Sequence, residues 1–467
     1  LAGDELLPEA LSNAIDEVRR LAGADARFAV NLRVPPAKAP TPEGIDCQRR
    51  MLAALEDLDA DLGLEPNTIE ELPDFDAQFD VLLEKHVPVV SVTFGGLREE
   101  YDERLKEAGI VWMGTATTLR EAKVLRAAGA DLVVVQGIEA GGPRLNFESS
   151  DDEAAVGMSV LTTHAARATR LPVIASGGIA EPQQVYGALV AGASAVMVGS
   201  ALLRTFESTA SASFKNVLPL LTDVSMRLTR CFNGRLTRVY PSELVQALDE
   251  AGLTYAPYPL QREVMRPILR AAAQQGRDDL ACLPAGQAAM LAREESVEAA
   301  AARLMSFVPI QKICEKRKLS AKAHSCTMAG VVNDGFATSS GDVDFVFEFS
   351  GMQIGPYQLD GNLVLAPMAG VTDAAFRVIC LSHGAAYAVG EMAASGSHLL
   401  HTEMTRRRYA CDPRERFPVV QILGADPAEM ANAAALAQDC GASMVDVNFG
   451  CPARVVCGKA CGSAVMR

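Results

Sequence analysis

Residues 131–142, DLVVVQGIEAGG, decide the fold of this chain. A short apolar run ends in Gln136, Glu139 and three glycines, which is typical of a buried strand that stops just before a helix. Two similar stretches follow, PVIASGGIAEP at 172–182 and AVMVGSALL at 195–203. Glycines at such points let backbone N–H groups approach an anion at a helix N-terminus, as in parallel α/β barrels. One such stretch is ordinary turn chemistry, but three in series predict a phosphorylated cofactor.

Helical and apolar segments alternate over residues 1–206, and the Val and Ile runs lack polar alternation, which indicates strands covered on both faces. We predict six strands, at roughly 27–33, 88–93, 110–114, 131–136, 172–176 and 195–199. A closed barrel of this class is built from eight strands. The sequence therefore predicts an α/β fold, a TIM-type (β/α)8 barrel over 1–206 that lacks its first two strands.

The remainder of the chain divides into three parts. Residues 207–306 have a mostly helical pattern and are expected to be the helical C-terminal part of the same unit, whereas 307–350 fit neither pattern and are interpreted as a linker or junction. Barrel-like alternation begins again at 351, with strand patterns in LVLAPMAGVTD (363–373), AAYAVGEM (385–392), FPVVQILG (417–424) and SMVDVNFGCP (443–452). We expect a partial second (β/α) barrel of about four strands over 351–467.

Composition excludes several classes of function. The net charge of −15 argues against a generally nucleic-acid-binding surface. No apolar run is long enough to span a bilayer, and the N-terminus lacks the pattern of a signal peptide. The spacing of the eleven cysteines is not that of a disulfide framework in a small secreted domain. We therefore expect a cytoplasmic protein without a membrane partner. Cys451, Cys457 and Cys461 match no common metal-binding spacing and offer only three ligands, so no metal is expected.

The first 306 residues resemble the nitronate monooxygenase family, FMN-dependent barrels that oxidise alkyl nitronates with O2 to a carbonyl compound and nitrite. The residues that carry the resemblance are NLRVP (31–35), SVTFGG (91–96), QGIEAGG (136–142), SGGI (176–179) and VGSALL (198–203). The resemblance implies FMN as cofactor, with a small-molecule nitronate and O2 as partners. It places six residues around the flavin, namely Asn31, Gln136, Gly141, Gly178, Gly199 and Ser200. Their types suit this, since Asn and Gln amides can bond the ring edge, and backbone N–H groups of Gly178, Gly199 and Ser200 can bond the phosphate.

The position of the family's general base is changed in this chain. The resemblance puts a histidine directly after the EAGG motif, where this sequence has Pro143. Proline cannot take a proton from a neutral nitroalkane, whereas a nitronate is already deprotonated. We predict weak nitronate oxidation and almost no nitroalkane turnover. His164 is the nearest alternative base, but its helical TTHAARA context is more typical of a solvated or capping histidine.

The C-terminal segment over 351–467 resembles the N-terminal third of a bacterial tRNA-dihydrouridine synthase. APMAGVTD (366–373), VQILGADP (420–427) and NFGCPARVV (448–456) carry this resemblance. It implies that Pro367, Met368 and Ala369 form a loop under a flavin and that Gln421 contacts its ring. It also makes Cys451 the catalytic acid that protonates the uridine carbon, a role that suits a thiol with a free pKa near 8.5. The basic stretch at 405–416 is either an RNA contact or a solvated helix face.

Four interpretations follow from these features. The first is a flavoenzyme of the nitronate monooxygenase type that carries a dihydrouridine-synthase segment, and the second is an enzyme that chiefly modifies tRNA. The third is a non-catalytic fused or truncated product, whose open sheets would expose apolar edges. The fourth is a hybrid barrel in which strands at 363–366 and 386–391 complete the first sheet. A homo-oligomer is compatible with each of them.

Overall fold

The computed structural model describes residues 1–36, 39–221, 226–306, 353–396 and 402–466. These residues form two compact units, the first within 1–306 and the second within 353–466. The segment 307–350, interpreted above as a linker or junction, lies outside the described residues.

A parallel sheet is the centre of the first unit. The strands of this unit are β1 (Ala29–Arg33), β2 (Val89–Thr93), β3 (Val111–Ala116), β4 (Leu132–Gln136), β5 (Gly142–Pro143), β6 (Val173–Ser176), β7 (Ala195–Met197), β8 (Arg227–Thr229), β9 (Thr237–Tyr240) and β10 (Leu283–Pro284). β1, β2, β3, β4, β6 and β7 pair in parallel in that order, which confirms the α/β class with a parallel sheet. The described sheet is an open path from β1 to β7.

The N-terminal residues extend this sheet in a way the sequence did not predict. Ala2 forms a parallel bridge with Asn31, and the Asn31 N–H donates to the carbonyl of Leu1 at 2.9 Å. Residues 1–3 therefore cover part of the outer edge of β1.

The helices of this unit bury apolar side chains, some against the sheet and others in a separate core. They are α1 (Pro8–Ala22), α2 (Pro42–Ala54), α3 (Glu56–Asp61), α4 (Phe75–Glu84), α5 (Glu99–Ala108), α6 (Leu119–Ala127), α7 (Met158–Thr169), α8 (Pro182–Val190), α9 (Ala212–Val217), α10 (Glu243–Glu250), α11 (Leu260–Gln274) and α12 (Val297–Leu304). Leu11 of α1 and Phe79 of α4 are fully buried in one core with Val90 and Val133 of the sheet. Burial of each such side chain stabilises the fold by roughly 1.5–3 kcal/mol. This packing of helices on the sheet holds the ends of the strands in fixed positions.

The region 207–306 is less helical than its sequence pattern predicted. β8 and β10 flank β9 in a small antiparallel sheet, to which β5 also belongs. These strands have two to four residues, too short to show a clear period in the sequence. Their pairing ties residues 142–143, directly after the EAG stretch, to residues 237–238.

The second unit also contains parallel strands with helices between them. Its elements are β11 (Gln353–Ile354), β12 (Tyr357–Gln358), β13 (Val364–Leu365), α13 (Ala374–Ser382), β14 (Tyr387–Ala388), β15 (Ala393–Ala394), α14 (Glu403–Tyr409), β16 (Val419–Leu423), α15 (Pro427–Asp439), β17 (Met444–Val447) and α16 (Arg454–Cys457). Each of the four predicted strand regions contains a strand, namely β13, β14, β16 and β17, while β15 lies just after the second region. Within this unit β13 pairs in parallel with β14, and the hybrid barrel stays a prediction.

A buried ion pair holds the second unit together. Arg377 of α13 donates to both carboxylate oxygens of Glu415 at 2.8 and 2.9 Å, and both side chains are almost fully buried. Arg377 also donates to the carbonyls of Thr372 and Ala410, so its charge is well solvated by protein groups. Within the ranges that the structure describes, no helix is long and apolar enough to cross a membrane.

Candidate functional site

The carboxyl ends of β6 and β7 and the loop after β4 surround a cavity of about 310 Å³. Four of the six residues predicted to surround the flavin in this unit line it, namely Gly141, Gly178, Gly199 and Ser200. The opposite wall comes from residues 284–288, which sequence reasoning did not assign to a site. The cavity lies where ligands bind in parallel α/β barrels, at the carboxyl ends of the strands.

Backbone amides are the polar groups of this cavity. Gly177 and Gly178 follow β6 with φ of +114° and +69°, a conformation that other residues rarely adopt. The N–H groups of Gly178, Ile179, Gly199 and Ser200 have no protein acceptor among the described residues. None of the residues lining the cavity carries an ionisable side chain. The cavity can therefore hold an anion through main-chain donors, but it supplies no acid or base.

The wall at 284–288 is fixed by hydrogen bonds to the other loops. The Gly286 N–H donates to Ser200 Oγ at 2.8 Å, and the Gln287 N–H donates to the carbonyl of Glu139 at 2.9 Å. A Cβ on Gly141 would lie 2.5 Å from the backbone of Ala285 and Gly286. Gly141 therefore serves the close approach of two loops. The AGQAAML sequence at 285–291 was the signal that could have identified this wall.

Asn31 and Gln136, predicted to bond the flavin ring, do not line the cavity. The Gln136 amide is buried, donates to the carbonyl of Pro143 at 3.0 Å and accepts from the Leu145 N–H at 3.1 Å. The Asn31 amide oxygen accepts from Ser91 Oγ at 3.2 Å. Gln136 thus binds the loop that follows its own strand, and a role of either residue at a flavin ring stays a prediction.

Pro143 and His164 also lie off the cavity. Pro143 belongs to β5 and pairs with Thr237, while its carbonyl accepts from Gln136. His164 is exposed on α7, which agrees with the solvated histidine expected from its sequence context. Neither residue places a proton acceptor in the cavity.

Two buried arginines anchor the loop at 137–144. Arg144 donates to the carbonyls of Gly137 at 2.7 Å and Ala154 at 2.8 Å, and burial lowers its pKa to about 10. Arg238 donates to the carbonyl of Ile138 at 3.1 Å, and burial lowers its pKa too. Glu139, in the same loop, acts on the charge of both arginines.

The second unit has its own cavity, of about 420 Å³, again at the carboxyl ends of its strands. Pro367, Ala369, Gln421 and Cys451 line it, so four of the five predicted residues converge. Met368 does not line it. Its side chain is 39 % exposed, and its backbone is held by the Thr372 hydroxyl.

A side-chain network crosses this second cavity. Gln421 donates to Asp446 at 2.5 Å and accepts from Asn448 at 3.0 Å. The side-chain oxygen Oδ1 of Asn448 accepts hydrogen bonds from the N–H groups of Gly450 at 3.1 Å and Cys451 at 2.9 Å. Asn448 therefore fixes the turn that presents Cys451. Sequence reasoning missed Asn448, although it opens the NFGCP motif.

The other polar features of this unit have structural explanations. In the basic stretch at 405–416, Arg407 pairs with Glu403, Arg414 pairs with Asp412 and Arg416 pairs with Asp360. These contacts agree with a solvated, charge-paired surface. No group of three or more His, Cys, Asp or Glu side chains among the described residues could hold a metal ion.

Comparison with known proteins gives each unit a relative. The family model "Nitronate monooxygenase" matches residues 1–306, and the model "Dihydrouridine synthase (Dus)" matches 364–467. A probable nitronate monooxygenase of Bacillus subtilis (strain 168) is 32 % identical over 296 residues, which are 63 % of this chain and 84 % of that protein. One of Staphylococcus aureus (strain JH9) is 33 % identical over 285 residues, or 60 % and 79 %.

A solved structure is similar over the same region. Nitroalkane oxidase from Streptomyces ansochromogenes is 34 % identical with a TM-score of 0.58, and the match covers 65 % of this chain and 87 % of that one. The family match extends over well more than half of the chain and contains the whole glycine-lined cavity. This chain is thus a member of the nitronate monooxygenase family.

Proposed function

We propose that the first unit is an FMN-dependent oxidoreductase that oxidises alkyl nitronates with O2 to a carbonyl compound and nitrite. The observation that supports this most is the set of four N–H groups without protein acceptors, at Gly178, Ile179, Gly199 and Ser200. They are a suitable cradle for the FMN phosphate. Space is also available, since a Cβ on Gly199 would have no neighbour within 4 Å.

In this proposal the protein binds and positions, and FMN supplies the redox chemistry. The four N–H groups hold the phosphate, and Ser200 keeps the wall at 284–288 in place by accepting from Gly286. Arg144 and Arg238 hold the backbone of the loop at 137–144 by donating to its carbonyls. Gln136 holds that loop against the end of β4.

The substrate we propose is the nitronate anion, because Pro143 takes the place of the family's base. The wild type should oxidise a primary nitronate and show almost no turnover of the neutral nitroalkane. Pro143→His should raise nitroalkane turnover by at least about 10-fold, since a positioned base contributes roughly 10²–10⁴-fold. His164→Gln is the control and should change neither rate, because His164 is exposed on α7. Equal wild-type rates on both substrates would refute the proposal.

Bound flavin is the first quantity to measure. Visible absorption of the purified chain after gel filtration should give about one FMN for the first cavity. A protein that elutes normally, binds added FMN no better than a mock protein and oxidises no nitronate would overturn the proposed function.

A second candidate function concerns the second unit, because four predicted residues converge on its cavity. We propose that Cys451 there can protonate one carbon of a uridine double bond, the other carbon being the one to which a reduced flavin would deliver hydride, as the dihydrouridine-synthase resemblance implies. Photoreduced protein should then be reoxidised anaerobically by unmodified tRNA, and Cys451→Ala should abolish this while leaving nitronate oxidation unchanged. Reoxidation of the variant at the wild-type rate would exclude Cys451 from the reaction.

A further inference from the structure

Arg235, in the turn between β8 and β9, lies against two aromatic rings of the first unit. Its guanidinium carbon is 4.5 Å from the ring centre of Phe94 and 5.1 Å from that of Tyr258. The two ring centres are 5.1 Å apart. Phe94 is buried, has a φ of +67° and directly follows β2. The rings and the cation therefore form one cluster at the carboxyl end of the sheet.

This cluster lies beside the position at which the family resemblance puts a base. Pro143 pairs with Thr237, two residues along the chain from Arg235. Arg235 Nη1 donates to the carbonyl of Asn146 at 2.5 Å, three residues after Pro143. The backbone between them is closed by the Arg144 N–H, which donates to the Leu236 carbonyl at 2.7 Å. The guanidinium is thus fixed to the same loop as Pro143.

Arg235 lacks the direct ion pair that other arginines in this unit have. Arg33 pairs with Asp4 at 2.5 Å, and Arg303 pairs with Glu295 at 2.6 Å. Arg235 makes no ion pair among the described residues, its buried Nε has no hydrogen-bond partner there, and Asp151 and Glu121 act on its charge only at longer range. Burial lowers the pKa of Arg235. A half-buried cation without a counter-ion is costly to maintain, and an anionic ligand would offset that cost.

We propose that Arg235 is the substrate-binding residue that recognises the anionic O–N–O group of the nitronate, with Phe94 and Tyr258 packed against the alkyl part. A guanidinium presents two N–H groups in a plane, which suits the two oxygens of a planar anion. This inference rests on the proposed function of the first unit. According to this inference, Arg235 makes the enzyme specific for the anionic nitronate by binding its negative charge, and no protein base is needed.

The test compares Arg235→Met and Arg235→Lys with a matched control. Arg235→Met should raise KM for a primary nitronate on the order of 10- to 100-fold, with a smaller change in kcat and unchanged bound FMN. Arg235→Lys should restore part of the affinity, since it retains the charge but not the fork. The control is Arg104→Met, which removes another arginine over a ring, 5.3 Å from Phe79, that is paired with Asp80. It should leave KM unchanged.

A binding measurement without turnover separates this inference from the proposed function. Nitrate, a planar oxyanion, should raise the melting temperature of the wild type relative to chloride at equal ionic strength, and Arg235→Met should lose this response. Nitrate-dependent stabilisation in a wild type that oxidises no nitronate would support the anion site and reject the function. A folded, flavin-containing Arg235→Met with the wild-type KM and nitrate response would overturn the inference.

Discussion

The two cavities lie at equivalent places, the carboxyl ends of parallel strands, but they are built from different groups. The first is lined by main-chain donors and small residues without an ionisable side chain. The second is crossed by a network of Gln421, Asn448 and Asp446 that ends at the Cys451 thiol. The first cavity therefore offers donors for an anion but no acid or base of its own. The second contains a thiol side chain.

The interiors of the two units also differ in polarity, and the second is again the more polar. The first unit has a large apolar core between its sheet and helices, centred on residues such as Phe79 and Trp112. In the second unit a smaller core around Tyr409 and Ile422 is supplemented by the buried pair Arg377–Glu415. Stability of the second unit should therefore depend more strongly on one polar contact.

The largest expected effect tests that dependence. Arg377→Met should destabilise the second unit by about 3–5 kcal/mol, because it leaves Glu415 buried without its partner. Hydrogen exchange by mass spectrometry should show faster exchange over 402–423, with little change in the first unit. Arg407→Met is the control, since its pair with Glu403 is fully on the surface and is worth at most about 0.5 kcal/mol. Similar effects of both variants would remove the contrast between the two interiors.

Thiol reactivity gives the next largest contrast. Burial raises the pKa of Cys231 and Cys282 in the first unit to about 12. At pH 8 their thiolate fraction is then about 10³-fold below that of a free thiol with a pKa near 8.5. Cys440 in the second unit is exposed. Iodoacetamide should therefore modify Cys440 long before Cys231 and Cys282, as followed by peptide mass spectrometry.

The order should disappear in urea, where all three thiols are solvated and ionise alike. Rapid native alkylation of Cys231 would mean that the small core containing Cys231 opens easily, and the contrast between the units would then fail.

The sequence predicted the parts of both sites that depend on local backbone. The glycines at 141, 178 and 199 sit where strand-to-helix turns must lie, and these turns are set by neighbours in the chain. The parts that the sequence did not show depend on distant partners. Gln136 looked free to bond a ring, but the loop at 143–145 takes up its amide. The wall at 284–288 and Arg235 come from segments whose short strands have no readable period.

The same reasoning explains the second unit. NFGCP placed Cys451 correctly because the motif contains its own turn, in which the Asn448 side chain accepts the Cys451 N–H. Met368 belongs to the same loop as Pro367 and Ala369 but does not line the cavity, because the orientation of a side chain in a loop is set by packing, which a motif does not encode. Motifs therefore predict where a chain turns better than where its side chains point.

The smallest expected effect distinguishes the two uses of glycine in the first cavity. Gly141→Ala should destabilise the protein by about 1–3 kcal/mol and release the cofactor, because its Cβ would lie 2.5 Å from the backbone of Ala285. Gly199→Ala meets nothing within 4 Å, and its φ of −120° is open to alanine. Its melting temperature should therefore stay within about 1 °C of the wild type. If the FMN phosphate occupies that open space, Gly199→Ala should still weaken FMN binding by about 10-fold, measured by flavin fluorescence during titration. Unchanged FMN affinity in Gly199→Ala would mean that the phosphate binds elsewhere. The first cavity would then be only a packing gap between loops, and the second cavity would be the better candidate for a binding site.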